Sequence, residues 1–325
     1  MVRYDVTYTN GVIASREKYL LGEKVLRLTE ISAEEAFRVL LEHGFGGGAE
    51  TASSMYDFER LIAVEEERLD SFIREYAPSK AEASYLLSPR DFHNAKALVK
   101  ATYLGKNAEK MLAPAGLFDI ETLSLCVKEG KFTTLKENEK LMTACEEAVA
   151  LLQEEASGAK VGAIFEKALY EHLKETVKRK PVLRKLLAAK ADMTNILTAV
   201  RAENAEEAGE KYLPAGTIEE KILKMLFADD KEKTLKAFQA KEYKAFVAEC
   251  LAAQEKQLPL TNVERIRDSF DIRYFEQRKY ELSKTEPFLY YVYRRKAENT
   301  NVRIVFVCLL AGLQEQDIKR RLRIV

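Results

Sequence analysis

The chain has 325 residues, of which 47% are hydrophobic and 32% charged, and its 52 basic and 52 acidic side chains leave no net formal charge. So much apolar content excludes a disordered protein, and the balanced charge argues against a nucleic-acid binder held by a bulk positive field. The length indicates two to three domain-sized units. Four isolated cysteines without a CxxC pair indicate reduced thiols in a cytosolic protein rather than a disulfide framework.

Helical periodicity dominates the sequence in chain order. Ser32 followed by Glu35 is a capping box that predicts the start of a helix. In residues 56–76 apolar side chains recur at three- and four-residue steps, with acids and arginines between them. The same pattern predicts helices at 135–155, 164–177, 218–227 and 243–258. Strand-type alternation is confined to the short stretch 2–9, so we expect an all-α protein of about fifteen helices.

No segment is suited to a signal peptide or a membrane span. The N-terminus lacks an apolar core of the signal-peptide type. The longest apolar run, residues 304–313, would extend about 15 Å as a helix, which is half of a bilayer core. We therefore expect no direct membrane span, so that any membrane role comes through a partner.

An internal repeat is the most informative feature of the sequence. Residues 181–195 and 287–301 align without a gap and share Pro, Leu, Lys, Ala, Thr and Asn at six of fifteen positions. A fainter copy at 88–98 has an acid and an Asn at the same three-residue spacing. The repeated positions are Asp91, Asn94, Asp192, Asn195, Glu298 and Asn301. Residues three apart share one helix face, so we predict that each pair ties its helix to its own unit by hydrogen bonds.

The repeat predicts three tandem helical units. The acids at positions 91, 192 and 298 are 101 and 106 residues apart, and similar loops at 112–117 and 213–218 follow the first two. We place the units at 1–118, 119–218 and 219–325. Chance similarity between amphipathic helices is the alternative, but the matching Pro, Thr and Asn are not generic helix residues, which argues against it.

The sequence offers little for a catalytic or metal site. The glycine-rich stretch 44–48 lacks the Gly-Lys-Ser/Thr ending of a phosphate loop and follows no buried strand, so a flexible helix connection is the better interpretation. The three histidines, His43, His93 and His172, pair with no Cys or His at ligand spacing. A GxSxG elbow is also absent. We therefore expect no catalytic, cofactor-binding or metal-binding residues.

Charged clusters are expected on solvated helix faces. This interpretation covers the acidic run 65–67 and the acidic pairs 154–155 and 206–207. Among three basic stretches, the one formed by Arg294, Arg295 and Lys296 is the best candidate for contact with an acidic partner or a membrane-proximal surface. A solvated helix end is the alternative interpretation of this basic patch.

Three groups of residues carry a resemblance to a known family. The first is Tyr8-Thr9-Asn10-x-Val12-x-Ala14 with Leu20-Leu21. The second is Asp91-x-x-Asn94-x-Lys96-x-Leu98-x-Lys100. The third runs from Pro287 to Glu298-x-x-Asn301-x-Arg303-Ile304, followed by Ala311-Gly312-Leu313. Together they resemble the C subunit family of archaeal and bacterial V/A-type ATPases, whose eukaryotic counterpart is the V-ATPase d subunit. The glycine-rich stretch 44–48 departs from the family's pattern.

The resemblance implies an all-helical protein with three similar lobes around a pseudo-threefold axis, shaped as a funnel or socket. It implies a non-catalytic subunit without a cofactor, peripheral on the cytoplasmic side of the membrane. Its implied partners are the central-stalk shaft subunits and the membrane rotor ring of proteolipid subunits, and no nucleic acid. A protein of this kind couples ATP hydrolysis or synthesis to H⁺ or Na⁺ transport.

Two other functions stand as alternatives. A helical protein–protein binding module outside rotary ATPases would have no threefold symmetry and a different partner. An enzyme with an unrecognised carboxylate site would need a concave pocket in which several acids converge with perturbed pKa values.

Overall fold

The computed structural model describes residues 5–154, 157–228, 230–238, 241–276, 278–281 and 284–323. These residues form helices joined by loops and 3-10 turns, and no strand occurs among them, so the expected all-α class is confirmed. In chain order the α-helices are α1 (Val6–Arg16), α2 (Lys24–Leu28), α3 (Ala33–Glu42), α4 (Phe58–Tyr76), α5 (Lys80–Tyr103), α6 (Ile120–Glu129), α7 (Glu139–Glu154), α8 (Gly158–Thr176), α9 (Pro181–Arg201), α10 (Ala205–Lys211), α11 (Glu220–Leu223), α12 (Lys231–Ala237), α13 (Lys241–Glu255), α14 (Thr261–Asp268), α15 (Phe270–Glu276), α16 (Glu286–Leu310) and α17 (Glu315–Lys319).

The chain divides into two compact units, and one of them contains both ends of the chain. Unit 1 comprises Met1–Ser79 and Pro259–Val325, with helices α1–α4 and α14–α17. Unit 2 comprises Lys80–Leu258, with helices α5–α13. The arrangement in three lobes, and the boundaries after 118 and 218, stay predictions.

Unit 1 is built around α16, which packs against α1, α2, α3, α4, α15 and α17. Phe306 of α16 lies at the centre of its core, stacked on Phe58 of α4 at 5.2 Å between ring centroids. Phe37 of α3 meets the same ring edge-on at 6.4 Å. Both ring geometries are favourable for aromatic pairs, so α16 is fixed on two sides by residues from the first part of the chain.

Unit 2 contains two of the three repeat helices. The first, α5, packs against α6, α7 and α8 around a core that includes Phe92, Leu141 and Phe165. The second, α9, packs against α10 and α13. Both repeat helices therefore pack mainly against other helices of the same continuous stretch, Lys80–Leu258.

The predicted helix starts agree with the structure. Ser32 caps α3, with Glu35 N donating to Ser32 Oγ at 3.2 Å. Pro181 is the first residue of α9 and Pro287 the second residue of α16, positions where a missing N–H costs nothing. The first repeat helix begins at Lys80, so residues 80, 181 and 287 all stand eleven positions before the repeated acid.

Two local predictions differ from the structure. Residues 218–227 contain only the short α11 and a 3-10 turn, Lys224–Phe227, rather than one helix. The alternating stretch 2–9 is helical from Val6, because Thr9 and Asn10 face the interior of unit 1 and Asn10 Nδ2 donates to Lys284 O at 3.1 Å. Its first three residues lie outside the described part of the chain.

Candidate functional site

The three repeated asparagines make the same pair of hydrogen bonds. Each side-chain amide donates to a backbone carbonyl at 3.1 Å and accepts from the N–H of the same residue at 2.7 or 2.8 Å. That residue lies 18 to 22 positions further along the chain. The partners are Ala113 for Asn94, Leu213 for Asn195 and Arg323 for Asn301. All three amides are buried. Each one pairs the N–H and the C=O of a backbone residue in a returning segment, where these groups are not paired within a helix or strand.

The acids of the two copies in unit 2 receive the loop that follows. Asp91 accepts hydrogen bonds from the N–H groups of Leu117 and Phe118 at 2.9 and 3.0 Å. Asp192 accepts from the equivalent N–H groups of Thr217 and Ile218 at 2.7 and 3.0 Å. Each carboxylate thereby satisfies two successive backbone donors of its own loop.

Asp192 makes two further hydrogen bonds. Its Oδ2 accepts from Thr217 Oγ1 at 2.7 Å and from the hydroxyl of Tyr243 at 3.0 Å. The carboxylate is fully buried without a cationic partner in any of these four contacts. Four neutral donors therefore replace the hydrogen bonds that water would make to this carboxyl group.

A glycine in each loop makes room for the acid. A Cβ added to Gly216 would lie 2.7 Å from Asp192 Oδ1, and one added to Gly116 would lie closer still to Asp91. Real Cβ atoms essentially never approach an oxygen so closely. The glycine shared by the two loops is therefore required by the close approach of each loop to its acid.

The third acid has a different partner. Glu298 Oε1 accepts from Gly22 N at 2.9 Å, a residue 276 positions earlier in the chain. Its Oε2 accepts from Arg295 Nη1 at 3.3 Å, one turn away on the same helix. The acid of the third copy thus ties the N-terminal segment to α16 instead of binding the loop that follows.

Arg295 links this acid to a second buried carboxylate. Its guanidinium donates to Glu65 of α4 and to Tyr19 O, the latter at 3.2 Å. Glu65 also accepts from Gly46 N at 2.9 Å and from Arg68 at 2.7 Å. Two carboxylates and two guanidiniums therefore balance each other inside unit 1. Burial raises the pKa of Glu298, although Gly22 N–H and Arg295 act in the opposite direction.

Two expectations about charged residues are corrected here. Glu65 is not solvated, because it occupies a place in the apolar stripe of α4 between Ile62 and Leu69, a spacing that already marks it in the sequence. Arg295, taken as part of an exposed basic patch, is only 8% exposed and is used internally. Arg294 and Lys296 are half-buried, and their contact with a partner stays a prediction.

The glycine-rich stretch connects α3 to the segment before α4, as expected of a helix connection, and it does so as a packed turn. Phe45, Gly46 and Gly48 are buried. Gly46 has a φ of 61°, and a Cβ there would overlap the backbone of Leu61 in α4. Only glycine allows this approach, and the approach delivers Gly46 N–H to Glu65. The run of glycines in the sequence indicated an unusual backbone. The sequence did not indicate that Gly46 binds Glu65, because Glu65 belongs to an acidic run that was expected to be solvated.

A cavity in unit 1 has a volume of about 790 Å³. Three acids and three arginines line it, namely Glu65, Glu67, Glu75, Arg16, Arg68 and Arg295. Arg16 lies over the rings of Phe72 and Tyr76 at 5.0 and 5.3 Å. The acids are thus matched by cations, which is not the convergence of carboxylates that a carboxylate-based enzyme would need.

Within the described ranges, no three or more His, Cys, Asp or Glu side chains are grouped so that they could hold a metal ion. In the same part of the chain, no helix has both the length and the apolar character needed to cross a bilayer.

Comparison with known proteins decides the family. The model of the ATP synthase (C/AC39) subunit family matches residues 9–321. The chain belongs to this family. A curated relative, the C subunit of the V-type sodium ATPase of Enterococcus hirae, is 20% identical over 274 residues, which cover 82% of each chain. The family is an accessory, non-catalytic subunit of V/A-type ATPases, and the resemblance carried by the three sequence motifs is confirmed.

Proposed function

We propose that this chain is the central-stalk socket of a V/A-type rotary ATPase. In this role it joins the shaft subunits of the central stalk to the membrane rotor ring on the cytoplasmic side, and performs no catalysis itself. It thereby couples ATP hydrolysis or synthesis to H⁺ or Na⁺ transport. The observation that carries the proposal is the family match over residues 9–321.

The long repeat helices support a mechanical role. Helices α5, α9 and α16 have 24, 21 and 25 residues, which correspond to lengths of about 31 to 38 Å. Each is held to a returning backbone segment by a buried asparagine and to a further segment by a buried acid. A part that transmits torque must keep its shape under load, and buried, fully paired polar contacts resist deformation.

The charge balance supports contact with protein partners on more than one side. Equal numbers of acidic and basic side chains give no uniform field, so recognition depends on local polar patches and shape. This is the composition expected of a protein that is held between two other proteins.

A bridging experiment tests the proposal. The full chain is co-expressed with the stalk subunits and with the tagged rotor ring, and the ring is purified in mild detergent. We expect the ring to retain the stalk subunits only when this chain is present. The matched control omits the chain and keeps all other subunits.

Two results would contradict the proposal. The first is a chain that binds neither the ring nor the stalk when all are co-expressed. The second is ATP hydrolysis by the purified chain alone above the background of a mock preparation, since a socket needs no such activity.

A further inference from the structure

We propose that a cleft beside Arg294 in unit 1 receives an acidic side chain of a partner protein in the ATPase complex. This inference rests on the proposed function and names the chemistry of one of its contacts. The cleft has a volume of about 330 Å³. The lining residues that matter are Glu17, Gly22, Lys279, Tyr280, Tyr290 and Arg294.

Two cations face this cleft, and neither forms an ion pair with a described residue. Lys279 Nζ lies 5.1 Å from the ring centre of Tyr280 and 5.4 Å from that of Tyr290. The guanidinium of Arg294 lies 5.7 Å from the same Tyr290 ring. Aromatic faces hold both cations in place but leave their charge available to an anion. Among the described residues, Arg294 Nε is buried and has no hydrogen-bond partner.

The other arginines of α16 show what is unusual about Arg294. Arg295 is paired with Glu65 and Glu298, and Arg303 is paired with Glu59 and Glu66. Arg294 makes no such ion pair in the described part of the chain, although its guanidinium lies beside Gly22, whose added Cβ would be 3.7 Å from Nη2. The charge of Arg294 acts on Glu298 without a direct ion pair, so its buried Nε donor remains available to a carboxylate that a partner supplies.

The charge of the cleft fits a single carboxylate. Its two cations face one acid, Glu17, which leaves one net positive charge among the lining residues. A carboxylate side chain neutralises that charge, whereas a phosphate dianion would leave a net negative charge among the lining groups. The rim carries Tyr280, which is 80% exposed. Exposed Tyr next to Arg is the residue combination that protein interfaces favour, so a protein partner is the occupant that fits.

Charge removal tests this inference in the full chain. Arg294→Gln with Lys279→Gln removes both cations while keeping polar side chains of similar reach. The matched control is Arg38→Gln with Lys110→Gln, which removes the same charge from two exposed positions outside the cleft. Affinity is measured separately for the purified rotor ring and for the purified stalk subunits, at low and high salt.

We expect the double variant to lose about tenfold to hundredfold in affinity for one of the two partners, with a weaker salt dependence. The control variant should bind both partners as the wild type does. Tyr280→Ala, at an exposed position that cannot disturb the core, should weaken the same partner severalfold. Equal melting temperatures of all variants show that folding is intact.

The outcomes separate this inference from the proposed function. Wild-type chain that binds neither partner overturns both. Wild-type binding that the double variant and Tyr280→Ala leave unchanged overturns the cleft alone. A parallel arm measures binding to vesicles with and without anionic phospholipid. If the double variant loses only vesicle binding, the cleft takes a lipid headgroup and the inference is wrong.

Discussion

The repeat helices of the two units use one sequence motif in two ways. In unit 2, Asp91 and Asp192 hold the loops that directly follow their helices, through neutral hydrogen-bond donors. In unit 1, Glu298 holds Gly22 from the far end of the chain and shares Arg295 with Glu65. The asparagine of the motif behaves alike in all three copies.

This difference shows which part of the motif is generic. The asparagine forms hydrogen bonds with the N–H and the C=O of one backbone residue. Every returning segment has such a pair of groups, so the asparagine can have the same function in each copy. The acid can be redirected, because a carboxylate accepts from whatever donors are brought near it. The longer Glu side chain in the third copy reaches a segment that is distant in sequence and enters a charged cluster.

The largest effect should come from breaking that charged cluster. We expect Arg295→Met to lower the free energy of unfolding of unit 1 by about 3–5 kcal/mol, because Glu65 and Glu298 stay buried without their shared cation. Denaturant unfolding, with hydrogen exchange of α16 amides to localise the loss, measures it. Arg68→Met is the control, since the Arg68 side chain is 54% exposed and its loss should cost less than about 1 kcal/mol. Equal costs for the two variants would contradict the charged cluster's role.

The asparagines should show the similarity of the three copies. Replacing Asn94, Asn195 or Asn301 by Leu should each cost about 1–3 kcal/mol, because a buried N–H and C=O lose their partner together. Partner binding should survive at temperatures where the fold persists. Thermal unfolding of the three variants, with exposed Asn262→Leu as the control, checks this. If one variant abolished partner binding at unchanged stability, that asparagine would be an interface residue.

A loop glycine of unit 2 should show how closely the loop approaches its acid. Gly216→Ala should cost about 1–2 kcal/mol, because its Cβ collides with the Asp192 carboxylate, which can shift only partly. The double variant Gly216→Ala with Asp192→Ala should be destabilised by less than the sum of the two single-variant costs. Gly209→Ala in α10 is the control and should not destabilise, since the added Cβ meets nothing closer than 3.7 Å. Full additivity of the double variant would contradict the predicted collision.

The smallest effect is a pH dependence confined to the third copy. The pKa of Glu298 is raised in the folded chain, so the folded protein binds this proton more tightly than the unfolded chain does. Its contribution to stability is therefore present below about pH 4.5 and is lost as the pH rises through the folded value. Wild type should lose stability relative to Glu298→Gln over this range.

An acid with the opposite shift provides the control for that measurement. Lys319 lowers the pKa of Glu30, so wild type should gain stability relative to Glu30→Gln as the pH rises. Unfolding free energies between pH 4 and 7 compare the two pairs. The same trend for both would show that Glu298 does not titrate as described.

Local signals in the sequence accounted for the long helices, the capping box at Ser32 and the register of all three repeat helices, but not for residues 218–227 or the start of α1. Even the faint copy at 88–98 has the same asparagine geometry as the stronger ones. The partner of Glu298 could not be predicted, because nothing near residue 298 specifies a donor at residue 22. The sequence did not predict the burial of Arg295. A run of three basic residues indicates a solvated surface, and the buried partners Glu65 and Glu298 are known only from the structure. Glu65 was recoverable from its place in the apolar stripe of α4.

The composition of unit 1 from both chain ends has a consequence for biosynthesis. Its first part, Met1–Ser79, leaves the ribosome before the roughly 180 residues of Lys80–Leu258, and α16 follows only after them. At usual elongation rates this delay is about 10 to 40 s. Until α16 emerges, the faces of α2, α3 and α4 that pack on Phe306 stay uncovered, while unit 2 has its whole sequence available. We therefore expect chaperones to bind residues 1–79 of the nascent chain more than unit 2, because these residues complete their core only when α16 emerges.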